Sequence, residues 1–380
     1  MNLVRQSLTQ YPVRRDPRKM IAVASVSIII IIAVYGAVTW WKPRFVVYTY
    51  GSFFDYGDEG AEAVLGRVFA PFERQYGVNV DIELLSVDAN GIISKLVAEK
   101  SRPLADVVIG IDNILILQDA AKSVLEPYTS PMLSLVNETF VDLLDPEHYL
   151  TPFDFGLITL IYSTSSINTT THPQLGNLTF ADLADADFAS SLVTENPNYS
   201  SPGLSFLLSQ IAIYEKLLHL DWTTWWDDVR DEINVQEGWD QAWQVWSGDP
   251  SRNLLVSYGT DPAYSAYYYG SPPDTAAAPF FYDNQYWAWM QVEGVGLVKN
   301  GPNPELGKAF IDYCLNATVQ SEIALNQWVY PIRTDLGLPS VYQYAINPNE
   351  VSLLNLLLNR TEISTNLSNW LDLWTATRIP

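Results

Sequence analysis

Apolar residues along this chain fall into runs of two kinds. Short runs rich in Val, Ile and Tyr, FVVYTYG at 45–51, VNVDIELL at 78–85 and ADVVIGI at 105–111, read as strands with at least one buried face. Between them, Ala61–Tyr76 carries apolar residues at helical spacing until Gly77, a residue suited to the left-handed backbone of a helix end. Ser94–Lys100 repeats that spacing. Strands alternating with amphipathic helices predict an α/β protein with a mixed or parallel sheet. Two longer β-rich runs, TPFDFGLITLIYS at 151–163 and YWAWMQVEGVGLV at 286–298, read as crossings between two lobes, and helices are expected over 303–326. The expected division is a first lobe over 44–151, completed by about 290–326, and a second over 152–289, joined by C-terminal helices at about 335–380.

The apolar run at 20–41 obeys neither pattern. It carries no charge, and about 20 such residues are enough to span a bilayer as a helix. Arg14, Arg15, Arg18 and Lys19 precede it, so the first 19 residues are expected in the cytoplasm and everything from about Arg44 onward outside. Cleavage as a signal peptide near Ala33–Ala37 is the alternative, and export holds in both cases. Seven Asn-x-Ser/Thr acceptors, at Asn137, Asn168, Asn177, Asn198, Asn316, Asn359 and Asn366, agree with an exported, glycosylated chain.

Charge then narrows the partners. Beyond Arg44 the chain holds 14 basic and 42 acidic residues, a net charge of −28, which repels nucleic acid and favours cations. A single cysteine, Cys314, permits no internal disulfide and reads as a core residue. His148, His172 and His219 are scattered, and neither HExxH nor a phosphate-binding glycine loop occurs, so no metal or catalytic residue is expected.

Ligands of open α/β sheets bind beyond the carboxyl ends of strands. Tyr50, Ser52, Asp88, Asp112 and Asn113 fall near such ends. TYGSF at 49–53, Gly238-Trp239, SYGTDPAY at 257–264 and WVYP at 328–331 place aromatics in or beside expected loops. Each alone is more often packing than contact; together they offer ring faces to a flat cation. Ser200-Ser201-Pro202-Gly203 opens a strongly helical run, where serine hydroxyls either cap the helix or grip an anion or hydroxyl.

YTYGSF, ADVVIGIDN, TPFDFG, SSPGLSFLL, EGW, LVSYGTDPAY, QVE and WVYPI, in this order, make the chain similar to the thiamine-binding periplasmic proteins of ABC importers from about Phe45 to Ile332. The resemblance implies a two-lobed periplasmic-binding-protein clamp of class II type that closes on thiamine, thiamine monophosphate or thiamine diphosphate. It implies a monomer that serves an ABC permease and its ATPase. Tyr50, Trp239, Tyr264 and Trp328 would then surround the rings, Asp88 would meet the cationic or aminopyrimidine side, and Ser200 and Ser201 would hold the tail. Tyr258 and Asp261 would line the cleft, and Ser52 would lie beside Tyr50. The pattern departs from the family where Ala89 replaces a Gly, Asp261 replaces a Ser, and Tyr56 stands in for a cleft Trp. Thiaminase-like enzymes resemble the same fold but use a cleft cysteine, which Cys314 does not supply; polyamine or iron binding remains an alternative. No base lies between Leu192 and Ile213, so the tail site is expected to suit a hydroxyl or one phosphate better than a diphosphate.

Overall fold

The computed structural model describes residues 42–378; the expected tail and anchor at 1–41 lie outside the described residues. Among the described residues no helix is long and apolar enough to cross a membrane.

The early alternation forms as expected, with β1 (Arg44–Tyr50), α1 (Ala61–Tyr76), β2 (Asn79–Leu85), α2 (Ala89–Ala98) and β3 (Val107–Asp112). Gly77, at φ +67°, ends α1 in the left-handed region and donates to the Glu73 carbonyl. Helix α2 starts five residues before the expected Ser94, because the Asp88 carboxylate accepts from Gly91 N at 2.8 Å and caps a turn whose glycine hides the helical pattern.

The long run at Thr151–Ser163 is one strand, β4. It leads to β5 (Leu192–Glu195), α3 (Ser201–Ala212), β6 (Asn234–Gln236), α4 (Trp239–Gly248), β7 (Leu254–Tyr258) and α5 (Asp261–Tyr268). The second long run is β8 (Gln285–Val298). Asn316 caps a break in the expected helical stretch 303–326, dividing it into α6 (Pro304–Cys314) and α7 (Ala317–Asn326). The chain closes with α8 (Arg360–Arg378).

These strands form one sheet in the order β2-β1-β3-β8-β4-β7-β5-β6. The outer groups, β2-β1-β3 and β7-β5-β6, are parallel within themselves, whereas β8 and β4 join them through antiparallel pairs. Each half has its own core. Phe45, Phe69, Phe72 and Phe310 pack near β1, and Phe180, Phe206, Trp225 and Trp226 pack near β7, with Trp374 of α8 edge-on to Trp226. The two long strands join the halves along a seam across the middle of the sheet, and a third apolar cluster, which includes Phe155, Leu157, Met290 and Trp328, packs at that seam.

Candidate functional site

The register brings both halves' strand ends to that seam. Asp112, the last residue of β3, is opposite Glu293 of β8, and Glu293 is opposite Asp154 of β4. From the other half, Tyr258 at the end of β7 is opposite Ile158. The carboxyl ends of the parallel strands therefore converge on residues 154–158 of β4, where an α/β sheet offers a ligand crevice. Two tyrosines lie on this floor over glycines. A Cβ at Gly110 or Gly156 would stand 2.5 Å from the ring of Tyr50 or Tyr258 respectively, so glycine is needed for each ring to lie flat. The Tyr50 hydroxyl donates to Glu293 Oε2 at 3.0 Å and accepts from Gln327 Nε2, and Tyr258 donates to Gln291 Oε1 at 3.4 Å.

Above the floor the expected Tyr56, Trp239, Tyr264 and Trp328 meet in a closed ring completed by Trp243, which sequence reasoning did not single out. Tyr56 packs edge-on to Trp239 (5.8 Å between centroids), Trp239 stacks on Trp243 (5.3 Å), Trp243 meets Tyr264 (6.0 Å) and Tyr264 meets Trp328 (5.2 Å). Trp328 Nε1 closes the ring by donating to the Tyr56 carbonyl at 2.9 Å. The Tyr56 hydroxyl also reaches Asp240 Oδ1 at 3.1 Å, so a loop of the first half bonds the start of α4 in the second. Ser52 sits in the turn between Tyr50 and Tyr56; its carbonyl accepts from Asp55 N, and its hydroxyl acts on the Tyr56 phenol. A cavity of about 460 Å³ borders the ring through Trp243 and Tyr264 and is otherwise lined largely by polar residues such as Asp249, Arg252 and Asp274.

The serine pair divides its duties. Ser200 caps α3, accepting from Gly203 N at 3.4 Å, while the Ser201 hydroxyl faces the Asp112 carboxyl and favours its ionised form. Ser257 donates to Asp261 and accepts from Trp239 Nε1 at 2.8 Å, tying the α5 start to the α4 indole. Asp88 and Ala89 open α2 just beyond the end of β2; Asp88 is exposed and engaged as the cap, and Ala89 is buried. The structure thus joins Tyr56, Trp239, Tyr258, Tyr264 and Trp328 through ring contacts that include Trp243, with Ser52 acting on Tyr56, Asp261 reached from Trp239 through Ser257, Tyr50 linked to Tyr258 through Glu293 and Gln291, and Ser201 at Asp112. Asp88 and Ala89 stay in their own turn.

Sequence reasoning missed the acidic character of the floor. Burial raises the carboxyl pKa of Asp112, Asp154 and Glu293, and the nearby Asp154 and Asp112 raise that of Glu293 further. Burial lifts Asp261 to about 7 against the hydrogen bond from Ser257. Glu195, at the end of β5, is fully buried with neither carboxylate oxygen hydrogen-bonded, and burial and the nearby Asp261 raise it well above the usual carboxylate range. The signal was available in TPFDFG and QVE, whose acids sit inside otherwise apolar strands. Cys314 is buried with its thiol pKa raised by that burial, the opposite of an activated nucleophile.

Residues 102–352 match the family described as bacterial extracellular solute-binding protein. The chain belongs to that family. This binding protein is therefore an extracellular or periplasmic component of an ABC importer and not an enzyme. It is 26% identical to the thiamine-binding periplasmic protein of Escherichia coli over 341 residues, covering 88% of this chain and 93% of that one. With the thiamine-binding periplasmic protein of Brucella suis it shares 24% over 338 residues, 88% and 92% of the two chains. Its fold matches a solved periplasmic thiamin binding protein at TM-score 0.73 and 24% identity, covering 89% of this chain and 97% of that one. A ferric binding protein from Campylobacter jejuni matches at TM-score 0.67 and 19% identity, covering 88% and 99%.

Proposed function

We propose that this binding protein captures thiamine and delivers it to an ABC permease powered by an ATPase subunit. The observation that carries this reading is the closed aromatic ring over an acidic floor, since indole and phenol faces with nearby carboxyls suit a flat organic cation. Curated relatives with thiamine-binding names, at about a quarter identity over most of both chains, support it. An iron reading has less support. Tyr258 already donates to Gln291, Tyr264 is packed among rings, and among the described residues no group of three or more His, Cys, Asp or Glu side chains could hold a metal ion.

The tail end of the ligand is read from α3. Glu195 lies against its first turn, where a Cβ on Gly203 would be 3.0 Å from the Glu195 Cβ, and Asp261 acts on the same carboxyl. Two buried acids beside the serines could meet a phosphate only as neutral carboxyls, whereas a hydroxyl suits either form, which narrows the expectation of a hydroxyl or one phosphate to the free alcohol. Calorimetry on the chain from Arg44 should show one thiamine site, with quenching of Trp fluorescence, and weakening by roughly tenfold or more for the mono- and diphosphates. No saturable heat with thiamine or either phosphate would overturn the ligand assignment; a preference for a phosphate would overturn the role of the acids.

We also propose that residues 20–41 are retained as a single membrane anchor, with the binding domain outside the cell and glycans on some of the seven acceptors. None of the acceptor asparagines is buried. The full chain should stay with membranes through an alkaline carbonate wash, and its release would favour cleavage.

A further inference from the structure

The floor of the seam contains a row of three acids with no assigned role. Asp112, Glu293 and Asp154 are directly opposite one another across the adjacent strands β3, β8 and β4, so their side chains share one face. Adjacent strands are only about 4.8 Å apart, too close for three buried carboxylates to be charged together. Asp112 and Asp154 are each 1% exposed, and each keeps one carboxylate oxygen, Oδ2, without a hydrogen bond. Asp112 Oδ1 is used, accepting from Ile114 N and Leu115 N at 2.8 Å. Glu293 receives the Tyr50 hydroxyl on Oε2 and Gln291 Nε2 on Oε1 at 3.0 Å.

The groups acting on the row from the packed elements are the phenols of Tyr50 (β1) and Tyr258 (β7), the Ser201 hydroxyl (α3) and the Gln291 amide (β8). The Tyr342 phenol also feels Asp154, and Pro331 lies opposite Asp154 in a short strand pair. These are neutral groups. They solvate the row without neutralising it, and Asp112 Oδ2 and Asp154 Oδ2 stay buried without a hydrogen bond.

We propose that Asp112, Glu293 and Asp154 form the cation subsite of this cleft, where the ligand's positive ring replaces a proton that the three carboxyls otherwise share. The inference rests on the thiamine reading above for the identity of the cation. Binding then transfers one proton from the row to solvent as the thiazolium enters, so the charge of the filled site equals that of the empty one. Tyr50 bonds Glu293 directly and Ser201 faces Asp112, so two residues already placed at the ligand by resemblance connect to the row.

The test uses the full chain in detergent, titrated with thiamine and with thiochrome, its uncharged fused-ring oxidation product. Calorimetry at pH 7 in buffers of different ionisation enthalpy should show release of about one proton per thiamine and none with thiochrome, with thiamine affinity rising by up to about tenfold per pH unit while the row holds its proton. Glu293→Gln, or Asp154→Asn should the first variant not fold, should abolish the release and narrow the preference for thiamine over thiochrome by roughly tenfold to a hundredfold. Thiamine binding without proton release, or an unchanged preference in the folded variant, overturns the subsite and leaves thiamine as the ligand. If the parent binds no thiamine, the ligand reading falls. The row is then judged by infrared titration of the ligand-free protein: a protonated carboxyl band at pH 7 that weakens in the variant supports it, and no such band overturns it.

Discussion

Replacing Trp328 by alanine is expected to lower the unfolding free energy by about 3–5 kcal/mol, the usual cost of deleting a buried indole. Trp328 is 4% exposed, and its ring touches Tyr264, Tyr267 and Tyr268 at 5.2–5.8 Å and stacks on Tyr342 at 6.3 Å. Its carbonyl accepts from Thr260 Oγ1, and its Nε1 holds the Tyr56 carbonyl. One side chain therefore connects α5, the segment after α7 and the Tyr56 loop. The backbone offers a control, because Trp328 sits at φ +56°, a region that costs residues other than glycine about 1–2 kcal/mol. Trp328→Gly removes the same ring and relieves that strain, so it should be less damaging than Trp328→Ala by about 1 kcal/mol despite the smaller residue. Urea unfolding of both variants checks this. A loss below about 1 kcal/mol in the alanine variant would show that the ring serves the ligand alone and not the fold.

The site was legible in sequence wherever the information is local. WVYP, SYGTDPAY and Gly238-Trp239 place an aromatic in or just after a loop, and folding gathers those aromatics into one ring. The two long strands were legible because a run of about 13 largely apolar residues rich in β-branched and aromatic side chains has few other uses; β4 spans Thr151–Ser163 as read. What stayed hidden depends on register between distant segments. Nothing near Glu293 shows that it faces Asp112 and Asp154, since a shift of one residue in either pairing would turn its side chain to the other face. The bond from Tyr56 to Asp240 is of the same kind, spanning 184 positions. Asp88 has a second, local use that the sequence did not reveal: its carboxylate before Ala89-Asn90-Gly91 caps α2.

The ligand-free protein should lose stability as pH rises from about 4 to 7, opposite to a protein whose buried acids are paired with bases. Asp261 carries the argument. Its carboxyl is 6% exposed and is raised from 3.8 to about 7, so between those values the folded chain binds more protons than the unfolded one. Under linkage, stability falls with pH wherever the native state holds the extra proton. The contribution is complete below the unfolded value and is lost as pH passes the folded one. Three units correspond to about 4 kcal/mol. Glu195, Glu293 and Asp154 are shifted in the same direction and steepen the fall. Glu147, Asp249 and Asp335 shift downward and act only below the ordinary carboxylate range, so measurements should begin near pH 5. Asp261→Asn keeps an acceptor for the Ser257 hydroxyl and removes the titration. Urea unfolding at pH 5, 6, 7 and 8 should therefore give a falling curve for the parent and a flatter one for the variant, with the variant the more stable at pH 8. Parallel curves would mean that Asp261 is ionised throughout, and that the cleft carries its negative charge without help from protons.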